Sequence, residues 1–184
     1  LLSIAAVMWG SDIISKEERD KTVEFSLTLP VTRGRVVTAK ALAALVNCIA
    51  LALVTWAASV VSAAPYKPDS EFYRFLALIM AALFIMELVF LAVGLLLGCA
   101  LKQYRRASSL AVSILLGTYF LSIVTALSQD LDFLNYLTPF KYFDPVKMLN
   151  EMRLEAGFVA LSAAIIVASM VGAYLTYSKR DLYI

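Results

Sequence analysis

Apolar positions gather into four uninterrupted runs, at residues 41–64, 75–101, 107–127 and 157–177. A helix needs roughly 20 apolar residues to cross a hydrocarbon core of about 30 Å, so each run predicts a membrane-spanning helix. A fifth apolar stretch, residues 1–11, is about half a span long and leads straight into charged sequence. It reads as the cytoplasmic end of a truncated span, with further sequence upstream. A cleaved signal peptide fits poorly, because no basic leader precedes the stretch and no small-residue cleavage site follows it.

The polar segment at 12–40 gives mixed local signals. Ser15 with Glu18 has the spacing of a capping box, which predicts a helix start. Glu17 with Lys21, and Lys16 with Asp20, stand four apart and favour that helix. Yet Val23, Phe25, Leu27 and Leu29 alternate with Glu24, Ser26 and Thr28, the period of a half-buried strand. Periodicity leaves helix and strand both open here. Pro30 ends whatever precedes it, and Thr32 is placed to cap a second helix that carries Arg33 and Arg35 in its first turn and enters the bilayer near Lys40.

The other connections are short, except one. Residues 65–71 hold two prolines and form a tight turn, and 102–106 is a minimal basic turn. Residues 128–156 are mixed in polarity, with Phe133, Tyr136, Phe140, Tyr142 and Phe143 among acidic residues. Rings of this kind suit the headgroup region, so the segment is expected to lie on or dip into the outer interface. Asp144 before Pro145 is a cap and first-turn pair that predicts a short helix over 145–153.

Composition agrees with the pattern: 61% of the 184 residues are hydrophobic and 16% are charged. The expected class is therefore all-α, a polytopic bundle forming a single transmembrane domain over 1–184. Basic residues set its orientation. Lys16, Arg19, Lys21, Arg33, Arg35, Lys40, Lys102, Arg105, Arg106, Lys179 and Arg180 fall on one side, and Lys67, Arg74, Lys141, Lys147 and Arg153 on the other. The richer side should be cytoplasmic, and with it the C-terminus. A net charge of +2 then reflects topology and gives no support to nucleic-acid binding.

Histidine is absent, which removes the commonest general base and metal ligand, and no catalytic or metal site is expected. An intramembrane enzyme fares badly, since Glu87 is the one carboxylate inside the four runs and cannot form a pair. Cys48 and Cys99 lie inside spans and read as small buried side chains. Glu87 sits near mid-span, where charge costs about 3 kcal/mol, so it must face protein or water. It either lines a pathway, binds a cation, or ties helices together as a hydrogen-bonded carboxyl. Asn47, Thr118 and Ser122 are milder polar positions with the same two readings, cavity lining or interhelical bonding. Gly94 and Gly98, four apart, make a small-residue face for close helix packing.

The stretch KEERDKTVEFSLTLPVTRGRVVTAK at 16–40 resembles the first cytoplasmic loop of ABC type-2 transporter permeases. LTPFKYFDP at 137–145 is similar to that family's external segment before the last span, and YSKRDLYI at 177–184 to its C-terminus. The resemblance covers essentially the whole chain. It implies a six-span exporter subunit in a prokaryotic inner membrane, of which this sequence would hold five spans, the first truncated. It further implies that the loop is a coupling helix resting in a cleft of an ATP-binding cassette subunit, which resolves the local ambiguity toward helix. Carried over by position, the coupling residues are Glu17, Glu18, Thr22, Glu24, Phe25, Pro30 and Arg33. Lys21 departs from the glycine frequent there, a change a helix tolerates. By the same resemblance ATP and magnesium belong to the partner subunit, this chain binds no cofactor, and a second permease, identical or different, completes the pathway. The rival class is a non-transporting scaffold or sensory subunit.

Overall fold

The computed structural model describes residues 1–19, 32–101, 104–127, 134, 136–143 and 145–178. Among these residues there are six α-helices and no strand: α1 (Leu2–Arg19), α2 (Arg33–Ala63), α3 (Ser70–Ala100), α4 (Tyr104–Leu127), α5 (Pro145–Glu151) and α6 (Ala156–Ser178). Four of them, α2, α3, α4 and α6, are long and apolar enough to cross a membrane. At 31 residues each, α2 and α3 extend about 46 Å and so overrun the hydrocarbon core.

Helix α1 corrects one local expectation. It runs unbroken from Leu2 to Arg19, so Ser15 and Glu18 lie within a helix and not at its start. The physical reason is that a capping box satisfies the orphan N–H groups of a first turn, and here those groups already belong to a continuous ladder. Thr32 does occupy the N-cap position of α2 with extended backbone, but its side chain makes no capping bond.

Helix α3 is the hub, because it is apolar nearly all round, Glu87 apart, and packs against α1, α2, α4 and α6. Phe90 and Met86 meet Ala111 and Leu115 of α4. Leu95 and Cys99 meet Val37 of α2 and Ala173 of α6, and Leu91 meets Cys48 of α2. Toward α1 the contact is of another kind: it is made by backbone. A Cβ on Gly94 would stand 2.4 Å from the Val7 carbonyl oxygen, one on Gly98 2.8 Å from that of Ser11, and one on Gly10 2.4 Å from that of Leu91. Both helices advance together along this seam, Val7 against Gly94 and Ser11 against Gly98, so α1 and α3 run parallel. In lipid no hydrophobic force drives helices together, and such close backbone approach is the main source of association.

Part of the aromatic segment before α6 packs against the helices. Tyr142 and Phe143 are buried, and Tyr142 stacks on Phe158 with centroids 5.1 Å apart. Phe140, in a 3₁₀ turn at Pro139–Lys141, lies 5.3 Å from Phe90 and 5.5 Å from Tyr119. Tyr136 is exposed, and Phe133 lies outside the described residues. Hydrogen bonding favours this arrangement, since the Tyr142 O–H finds the Tyr136 carbonyl at 2.5 Å once buried. The same burial pushes its phenol above the ordinary tyrosine pKa of 10.0.

The seam makes a direct test of this architecture. Gly94→Ala should destabilise the protein by about 2 kcal/mol or more, because neither backbone can yield. Gly117→Ala, whose Cβ would meet open space, should be neutral or stabilising by up to about 1 kcal/mol. Thermal unfolding of the two variants in one detergent compares them directly.

Candidate functional site

Glu87 lies on the stripe of α3 that continues as Leu91, Gly94 and Gly98, the face turned to α1. It is 0% exposed, and neither carboxyl oxygen has a hydrogen-bond partner. A polar group in this condition carries a desolvation cost that nothing in the described chain offsets. Cys48 of α2 packs against Leu91, one turn farther along the same stripe.

A second polar cluster joins α1 to α4. The Ser108 hydroxyl donates to the Asp12 carboxylate, and Ser11 Oγ lies 3.4 Å from Ser108 Oγ and 3.1 Å from the Met8 carbonyl. These residues sit beside the glycine seam, so α1 is held to α3 by close packing and to α4 by hydrogen bonds.

A third cluster joins the first turns of α2 to the last turns of α6. Arg33 Nη1 donates to the Ser178 carbonyl at 3.2 Å, where a cation meets the negative end of a helix. Thr38 Oγ1 lies 2.9 Å from the Gly34 carbonyl and 2.7 Å from the Tyr174 hydroxyl. Because Thr38 has one proton and gives it to Gly34, Tyr174 is the donor to Thr38.

The segment at 20–31 is thus bracketed by two helices, each of which is tied to a different part of the bundle. A family model described as an ABC-2 family transporter protein matches residues 1–182, nearly the whole chain. The chain belongs to the ABC-2 transporter family. It is a multi-pass membrane protein and the permease component of an ABC transporter. No individually curated protein matches it.

Among the coupling residues of the ABC-2 resemblance, Glu17 and Glu18 fall in the last turns of α1 and Arg33 opens α2. Thr22, Glu24, Phe25 and Pro30 lie outside the described residues, and with them the choice between helix and strand for 23–29. Of the polar span residues, Asn47 is exposed on α2, apart from Glu87. Thr118 and Ser122 give their hydroxyl protons to carbonyls of their own helix, Leu115 at 2.9 Å and Tyr119 at 2.7 Å. Gly94 and Gly98 lie against the α1 backbone.

Sequence reading missed Asp12, Ser108, Thr38 and Tyr174. Their only local signal is a polar residue one or two turns inside the end of an apolar helix, where such residues are ordinary. What makes them a pair is a separation of 96 residues for Asp12 and Ser108 and 136 for Thr38 and Tyr174.

Two measurements follow from these contacts. A double-mutant cycle of Thr38→Val and Tyr174→Phe should return a coupling energy of about 1 kcal/mol in unfolding experiments. Glu87→Leu should raise stability by about 1 kcal/mol, since it removes an unpartnered buried carboxyl while keeping an apolar volume.

Proposed function

We propose that this permease is driven by a separate ATP-binding cassette subunit that docks on residues 16–29 and pushes on α1. The observation that carries the reading is the continuity of α1: one helix leads from the glycine seam out to Glu17, Glu18 and Arg19. A rod seated backbone against backbone on α3 can pass on a displacement that a flexible loop would dissipate. At the far side of the same segment, Arg33 and Thr38 tie the start of α2 to the end of α6. Motion of the docking segment therefore acts on α1 and α3 through one root and on α2 and α6 through the other.

In this scheme ATP and magnesium act on the partner, hydrolysis occurs there, and this chain supplies the pathway together with a second permease. Closure of the ATPase pair shifts the spans so that a central cavity opens outward and releases cargo. The excess of Lys and Arg at 16–40, 102–106 and 179–180 supports placing these segments and the C-terminus in the cytoplasm of a prokaryotic cell.

Reversing the charge of Glu17, Glu18 and Glu24 together should weaken co-purification with the ATPase by about tenfold or more and abolish the ATP turnover that depends on this chain. Membrane insertion should be unaltered. Undiminished association and turnover in the triple variant would return the chain to a scaffold or sensory role.

A further inference from the structure

The 3₁₀ turn at Pro139–Lys141 carries a side chain deep into the bundle. Phe140 packs on the buried cluster of Val7, Met86, Phe90, Ala111 and Leu115, with its ring against Phe90 of α3 and Tyr119 of α4. Phe90 lies ten residues, about 15 Å, inside the Ala100 end of α3, roughly half the thickness of a hydrocarbon core. Yet the helices on either side of the turn in the chain meet it from one end of the bundle, α4 finishing there at Leu127 and α6 starting there at Ala156. In the orientation proposed above that end is external, so the turn enters from outside and returns. Irregular backbone at such depth persists only inside protein or beside water, never against lipid. Thr138 and Pro139 are buried accordingly. The turn also closes on itself, through the Lys141 N–H to the Thr138 carbonyl at 2.9 Å and the Tyr142 N–H to that of Pro139 at 3.2 Å. Its backbone is thus satisfied without borrowing from the spans, and ring contacts seat Phe140 on them.

We propose that Phe140 is an external plug, whose ring closes a passage between α3 and α4 that leads down to Leu115 and Ala111. With the ring seated, those two side chains are dry; with the ring gone, water from outside reaches them. A ring that only filled space would behave otherwise, since its loss would lower stability and leave the site sealed by apolar neighbours. Calling the passage the exit of a cargo rests on the permease reading, whereas the closure itself does not.

The sequence holds two cysteines, so Cys48→Ala with Cys99→Ala leaves Leu115→Cys as the one thiol, beneath the Phe140 ring. The full chain in this background, expressed without an ATPase partner, is treated in right-side-out membrane vesicles with a membrane-impermeant methanethiosulfonate sulfonate. With Phe140 present the thiol at 115 should be protected, and Phe140→Ala should speed its labelling from outside by about tenfold or more. Phe140→Leu, the milder truncation, should fall between the two and carries the test should Phe140→Ala not fold. Phe84→Ala removes a ring of equal size from α3 on its α2 side, where it packs on Ala44, Cys48 and Leu91, and should leave the thiol protected. Thermal unfolding in detergent shows which variants are folded. A thiol that labels as fast with Phe140 in place, no gain in the truncated variants, or an equal gain in Phe84→Ala would overturn the proposal. Because no ATPase is present, a failure of coupling through 16–29 leaves these outcomes untouched.

Discussion

The contact on which the bundle depends is the one where α1 and α3 touch through their backbones. Three glycines, Gly10, Gly94 and Gly98, remove the side chains that would hold the two helices apart. Parallel helices that close can form many short contacts, and in a lipid solvent those contacts replace the hydrophobic force that assembles soluble cores. The seam also leaves little freedom to slide, since each step along it would bring a side chain against a carbonyl. Stiffness and stability therefore have the same origin.

From that seam the remaining helices are arranged around α3. Helix α4 closes one side with Ala111 and Leu115 against Phe90, and α6 another with Ala173 beneath Leu95 and Cys99. Polar bonds appear at the flanks of these contacts, Asp12 with Ser108 and Thr38 with Tyr174, where they set register more than they add energy. An interhelical hydrogen bond in a membrane contributes only about 1 kcal/mol, so its worth lies in direction. It allows one arrangement of two helix ends and disfavours their sliding.

Glu87 stands apart from this economy. It continues the same stripe as the glycines, yet it is the position where α3 presents a carboxyl without a partner. On α4, Thr118 and Ser122 fold back on their own helix and are satisfied locally. A glutamate reaches beyond its own backbone and needs a partner from elsewhere. A mid-span carboxyl without such a partner lowers the stability of the bundle.

Much of the architecture was legible along the chain. Runs of apolar residues longer than about 20 predict spanning helices whatever their neighbours are, because the bilayer demands that length and the helix satisfies its own backbone. Glu87 was conspicuous for the same reason, a charge where charge is costly. Tertiary structure alone decided which helix meets the Gly94 face, that α1 is continuous through Ser15, and that Tyr142 and Phe143 are buried against protein. It alone joined Asp12 to Ser108 and left Glu87 wholly buried. Local pattern reports how a segment partitions between water and lipid. Which apolar surfaces face one another depends on the shape of two segments at once, and no single stretch of sequence carries that information.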